Sequence, residues 1–458
     1  MASLKPSSVE IRTYRVGFGD CFLLSFVYSE KDHRHVLIDF GTTGLWPKKR
    51  KGEPPPPKRP PGLITKPSEH MPKIAEDIRS LCDEHGDGRL TAVIATHRHA
   101  DHISGFATDG SSGGSGKIIA ALRPRLVLQP WTEDPRAAKD ARSATAGGSR
   151  SPKSFTSGLA AMERIAGVVA EPGRISAGHK LSQSVRVQLG YLGMDNIANR
   201  SAVENLGKMG KAKGASAEFA CYGDKTALQK LLPGVRVHVL GPPDLTQTET
   251  IRKQRSKDPD QFWHLMATTP SVGLRATGGG GKRSRGAPLR PEARWFCRRL
   301  DLLRGQSLLQ IVRALDTQMN NTSLILLFEV GGKKLLFPGD AQLENWAWAI
   351  GDDSASRKSE VDRNRKLLAD VDVYKVGHHG SLNATPREWL WDNFRKRRPK
   401  SKRPMQTLMS TLAGVHGHGR SGTEVPRSKL KKALESETTL SNTQTYKSEL
   451  SRTAKISV

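Results

Sequence analysis

The sequence predicts an α/β fold built in layers. Three observations carry that expectation. Short apolar runs of strand length alternate with stretches of helical periodicity, and the second half of the 458-residue chain is again rich in strands. No apolar run approaches the ~18 residues that a membrane-spanning helix needs.

Residues 9–14, 21–28 and 35–40 read as strands separated by turn residues at 17–20 and 29–33. A basic segment over 46–67 follows, and its eight prolines make it too stiff and polar for a core element. Ile74, Ile78 and Leu81 give residues 71–85 helical periodicity, and 90–96 is an apolar strand that runs directly into His97. Further strands are expected at 123–128, 185–191 and 235–240, with a helix at 158–170. Small and basic residues mark 134–154 as an insertion, and 245–304 as a longer one with a glycine run at 278–281. Residues 323–330 and 333–337 read as a hairpin across Gly331 and Gly332. Helices at 342–350 and 357–368, a strand at 371–375, a helix from Pro386, a strand at 406–410 and a helix at 427–434 complete one domain over 1–435. The polar residues 436–458 read as a loosely ordered tail.

Charge bounds the partners. The net charge is +28, and three stretches (46–67, 275–304 and 395–403) hold 20 of it. Such local excess attracts polyanions, of which nucleic acid is the commonest in a cell. Cys21, Cys82, Cys221 and Cys297 lie far apart with no CxxC pair, which argues for reduced thiols and against a cysteine metal site. The N-terminus lacks the apolar core of a secretion signal. These features predict a cytoplasmic protein with no membrane association and with nucleic acid or another polyanion as partner.

The chemistry concentrates in TAVIATHRHADHISG, residues 91–105, where His97, His99, Asp101 and His102 fall within six residues after an apolar strand. A strand end cannot bury three imidazoles and a carboxylate side by side unless something satisfies them. Side chains at 97, 99 and 101 project to one side, and a turn brings His102 round. Imidazole nitrogen and carboxylate oxygen suit zinc, iron and manganese.

His-x-His-x-Asp-His after a strand resembles the metallo-β-lactamase superfamily. Other segments resemble that family's marks in order: LIDFG at 37–41, LFPGD at 336–340 and VGHHGS at 376–381. The His-His-Gly-Ser form, with VGFGD at 16–20, is most similar to the hydrolase domain of ComEC-type competence proteins. The resemblance implies an αββα sandwich with basic, Pro/Gly-rich insertions. It implies two divalent ions, zinc with manganese as the alternative, held by His97, His99, Asp101, His102, Asp340 and His378. Asp340 would bridge the ions, Asp39 would orient ligand histidines from behind, and Asp20 would lie in the same outer layer.

Most of that family has one more histidine some twenty residues before the bridging aspartate. Here Asn320 and Asn321 stand in its place, which would leave one ion with open positions. His179, His238 and His264 could fill the gap, although His238 alternates within a strand. Asp101 and His379 are the expected catalytic groups, His379 as substrate contact or proton donor. His418, in VHGHG at 415–419, either contacts the phosphate or belongs to a plain flexible loop.

The expected function is a binuclear hydrolase, a phosphodiesterase or nuclease acting on nucleic acid or a nucleotide through a metal-bridging hydroxide. Two rivals stand beside it. One is hydrolysis of a small ester, lactone or β-lactam, since fold does not fix substrate. The other is a non-catalytic polyanion-binding protein with structural metals, against which the open coordination argues.

Overall fold

The computed structural model describes residues 4–47, 58–59, 62–134, 199–248, 319–351, 355–415 and 424–458. It has the mixed α/β character that the sequence predicts, with two sheets and helices.

The first sheet begins as a meander. β1 (Ser8–Tyr14), β2 (Cys21–Ser29) and β3 (Asp32–Phe40) pair antiparallel, as short connections require. Helix α1 (Pro67–His85) then returns the chain to β4 (Ala92–Ile94), parallel to β3, and β5 (Leu126–Pro130) and β6 (Ser216–Ala220) continue parallel. In the second sheet β7 (Val235–Gly241), β8 (Ile325–Val330) and β9 (Lys333–Phe337) are antiparallel. β10 (Val373–Lys375), β11 (Gln406–Met409) and β12 (Thr439–Asn442) then add parallel beside β9. The last strand, β13 (Ser451–Ser457), crosses to the first sheet and pairs antiparallel with β1.

Alternation along the strands sets the packing. Phe22, Leu24 and Phe26 of β2 meet Leu326, Phe328 and Val330 of β8 in one apolar cluster, so the two sheets face each other. Cys21 and Leu23 point the other way, into a cluster with Met71, Ile74 and Ile78 of α1. Ile325 and Leu327 of β8 likewise pack against Trp346, Leu368 and Leu434 from later helices. Because both faces of the central strands are covered, those strands read as continuous apolar runs rather than alternating ones.

The remaining described α-helices are α2 (Ala100–Ile103), α3 (Ser115–Ala121), α4 (Arg200–Gly210), α5 (Leu228–Leu231), α6 (Leu343–Trp346), α7 (Lys358–Ala369) and α8 (Ser428–Glu437). The helix expected at 342–350 is α6 continued by a wider π-type turn over Ala347–Gly351, and the helix expected from Pro386 is a π-type turn over Arg387–Trp391. The larger correction concerns residues 436–458. They supply β12 and β13 at the edges of the two sheets, not a loose tail. An edge strand is held by backbone pairing with one neighbour, so it needs few apolar side chains; Ile456 is the buried one in β13. The expected helix at 158–170, the strand at 185–191, and most of the three insertions lie outside the described residues. Among the described residues no helix is long and apolar enough to cross a membrane.

Candidate metal centre

The ends of strands β3, β4, β9 and β10 and the loop after β1 converge on one buried cluster of His, Asp and Lys side chains. Open α/β sheets place their sites at the carboxyl ends of parallel strands, where side chains from neighbouring loops can meet. Asp39 ends β3, His97 and His99 follow β4, and Asp101 and His102 sit on α2. Asp340 follows β9, and Lys375, His378 and His379 lie at the end of β10.

Backbone contacts lock these loops together. Asp20 N–H donates to Asp101 O at 2.8 Å, and Gly41 N–H donates to Asp20 O at 3.0 Å. A Cβ on Gly41 would come within 2.5 Å of Ala100 O and His102 N, so only glycine lets β3 run this close to α2. Asp39, His378 and His379 all adopt positive φ (56°, 44° and 51°), a conformation that costs a non-glycine residue energy and that recurs at functional sites.

Asp101, His102, Asp340 and His379 are buried, and one ligand atom from each lies within 4.8 Å of all the others. His102 Nε2 is 3.1 Å from Asp340 Oδ2, and His379 Nε2 is 3.1 Å from Asp101 Oδ2 and 3.4 Å from Asp340 Oδ2. The far nitrogens fix which ring atom faces inward. His102 Nδ1 donates to Asp39 Oδ2 at 2.8 Å, and His379 Nδ1 donates to the carbonyl of Ser410 at 3.0 Å. Each neutral imidazole therefore turns an Nε2 lone pair towards the carboxylates. Four acceptor atoms then point at one another, and Asp101 Oδ1 is buried with no hydrogen-bond partner. Only protons or a cation can satisfy such a set. The nitrogen and oxygen donors fit a divalent transition metal, and the tautomer-fixing contacts to Asp39 and Ser410 are what ligand histidines need.

Electrostatics describe the same demand in the ion-free state. Burial opposes charging His102, but Asp340, Asp39 and Asp101 outweigh it and hold its pKa well above the ordinary value. His379 is raised in the same way by Asp340 and Asp20 against burial. For Asp340, burial is outweighed by His102, His379 and Lys375, which hold the carboxyl well below the usual range. His97 is pushed down by burial and by the neighbouring His102 and His99.

The other expected ligands sit around this set. His97 and His99 are buried beside it, His97 Nε2 lying 3.0 Å from His99 Nδ1 and the His97 ring 4.1 Å from that of His102. Of the two adjacent histidines, His379 belongs to the buried group, and His378 is a quarter exposed with Nε2 3.8 Å from Asp340 Oδ2. Both residues have left-handed backbone, and the second imidazole is the buried one. Asp39 accepts from Thr96 N–H and Thr96 O–H, each at 2.7 Å, besides His102. Asn321 donates to Glu344 at 2.9 Å, and Asn320 is buried beside it. His238 lies on β7 with Nε2 3.3 Å from Glu329. His179, His264 and His418 fall outside the described residues.

Sequence reasoning missed Lys375. Its ammonium is buried, bonds to Asp20, and lies 3.4 Å from Asp340 Oδ1. The available signal was a lysine between Tyr374 and Val376 at the end of an expected strand, since a lysine buried there must find carboxylates. The basic run at 395–403 is also less uniform than its sequence. Lys396 pairs with Asp372 at 2.7 Å, and Arg397 is buried against Glu437 and the Trp391 ring. Arg398, Lys400, Lys402 and Arg403 are exposed. No protein-family model matches this chain, and no curated protein matches it at a significant level.

Proposed function

We propose that this chain is a metal-dependent hydrolase with the αββα sandwich of the metallo-β-lactamase type, acting on a phosphodiester. One observation carries the reading: Asp101, His102, Asp340 and His379 turn four acceptor atoms at one another in a buried site at the strand ends. Facing sheets with helices packed on their outer faces support the fold assignment.

A divalent ion held there supplies Lewis acidity and charge neutralisation for hydrolysis. The protein's own groups do the rest. Asp39 and Ser410 keep His102 and His379 in the tautomer that turns Nε2 inward. Buried Phe18, with its ring 4.4 Å from that of His379, excludes water on that side. His378 is the most exposed imidazole of the cluster, and we assign it proton donation to the leaving oxygen. His97 and His99 extend the donor set for a second ion. The exposed cations Arg398, Lys400, Lys402 and Arg403, together with the net charge of +28, favour a polyanionic substrate over a small neutral ester or lactone.

The test is a substrate panel on purified protein with and without chelator: DNA, RNA, an aryl phosphodiester, a lactone and a β-lactam. Phosphodiester cleavage that chelator abolishes and added Zn2+ or Mn2+ restores is the expected result. Cleavage of the lactone or β-lactam alone would move the assignment to a small-molecule hydrolase. Cleavage of no substrate by metal-loaded protein would refute it.

A further inference from the structure

Lys375 has a side-chain exposure of 2 %, and its ammonium meets three acceptors. It bonds Asp20 Oδ2, donates to Gly339 O at 2.9 Å and lies 3.4 Å from Asp340 Oδ1. The other oxygen of Asp340 has three imidazoles around it: Oδ2 is 3.1 Å from His102 Nε2, 3.4 Å from His379 Nε2 and 3.8 Å from His378 Nε2. The two oxygens of one carboxylate are thus sorted, one to the ammonium and one to the candidate metal site. Gly339 and Asp340 are adjacent, so a single ammonium holds both the backbone and the side chain of that turn.

A second acidic group lies close by. Asp20, Asp39 and His102 also bring ligand atoms within 4.8 Å of one another, on the Nδ1 side of the His102 ring. On that side Asp39 accepts the Nδ1 proton at 2.8 Å, and Asp20 Oδ2 pairs with the Lys375 ammonium. The Nε2 atoms of His102 and His379 face the other way, towards Asp340 Oδ2 and Asp101 Oδ2.

We propose that Lys375 is a positioning residue of the metal centre. Its ammonium neutralises Asp20, anchors Asp340 through Oδ1 and leaves Oδ2 as the single oxygen offered to the ion. This rests on the reading of the cluster as a metal site, and it predicts a sign that charge alone does not. By Coulomb's law, removing a positive charge beside a cation site tightens cation binding. Losing a group that orients a ligand weakens it, by on the order of 10- to 100-fold for outer-layer partners.

The experiment uses the full chain with Co2+ as probe, read by chelator competition and by its visible absorption. Lys375→Met is expected to bind Co2+ on the order of 10- to 100-fold more weakly. Its spectrum should shift as Asp340 becomes free to offer both oxygens. Lys375→Gln, whose amide can still donate to Asp340, should recover part of the loss. The double variant Lys375→Met with Asp20→Asn covers a failure to fold, because it removes both halves of the buried ion pair together. It too should bind Co2+ more weakly than the wild type. Wild-type affinity or tighter binding in the folded single or double variant overturns the proposal while leaving the metal site intact. Failure of the wild-type chain to bind Co2+ overturns the metal reading itself, and the proposal with it.

Discussion

Asp39→Asn is the perturbation that best separates the metal centre from the fold around it. The substitution is nearly isosteric, and asparagine tolerates the left-handed backbone at this position, where φ is 56°. In the wild type, Oδ1 accepts from Thr96 N–H at 2.7 Å, while Oδ2 accepts from Thr96 O–H at 2.7 Å and from His102 Nδ1 at 2.8 Å. An asparagine keeps the first bond through its carbonyl oxygen. Its NH2 then occupies the place of Oδ2 and can only donate. The His102 Nδ1 must become an acceptor, which moves the ring proton to Nε2, the atom 3.1 Å from Asp340 Oδ2. A protonated Nε2 cannot bind a metal. The expected loss is on the order of 10- to 100-fold in metal affinity, or about 1.4 to 2.7 kcal/mol. The effect on folding should be smaller, because the Thr96 hydroxyl can rotate to accept and only one buried contact is exchanged for another. Chelator competition with Zn2+ gives the affinity, and thermal melting of the ion-free protein gives the stability. An affinity within about twofold of wild type would show that Asp39 does not set the His102 tautomer.

Other outcomes follow from the same geometry. Asp340→Ala should remove most bound metal by elemental analysis while the backbone circular dichroism stays native, since Oδ2 of Asp340 faces three imidazoles; unchanged metal content would contradict the site. Replacing Arg398, Lys400, Lys402 and Arg403 together with Gln should weaken nucleic-acid binding and lower its salt slope by about 3 to 4, measured between roughly 50 and 200 mM salt. An unchanged slope would remove this surface from the interface. Acid should destabilise the fold through His35 and His70, whose pKa values burial pushes down to about 3 and about 4. Both are neutral when folded and protonate near 6.5 when unfolded, so stability falls as pH drops below 6.5 towards those values. Between pH 6.5 and 5 the two together lose about 3 kcal/mol as an order of magnitude. Urea midpoints against pH should therefore flatten in His35→Gln with His70→Gln, and an equally steep profile would refute this cause.

Much of the layout was legible because burial on both faces writes itself into apolar runs. The strands near 9–14, 21–28, 235–240 and 333–337 stand close to their observed limits, as does the helix that ends at His85. Residues 97–102 were legible because so many ligand-type side chains after a strand have few other physical explanations. What escaped depends on backbone geometry. The left-handed φ at 378 and 379 decides which imidazole is buried, and composition does not encode that torsion. β12 and β13 escaped because an edge strand draws its stability from backbone pairing, so a polar sequence serves. Lys375 escaped because its partners are distant in the chain: Asp340 follows β9, the neighbour of β10 in the second sheet, and Asp20 reaches it from the first sheet.

The central claim is that the buried His and Asp side chains are a metal site. Diffraction from crystals soaked in Zn2+, recorded on both sides of the zinc absorption edge, tests it without reference to activity. The account predicts an anomalous peak bounded by Asp101, His102, Asp340 and His379, with His102 Nε2 and Asp340 Oδ2 at coordination distance. A native fold with no peak between those four residues, or with zinc bound only at surface histidines, would contradict it.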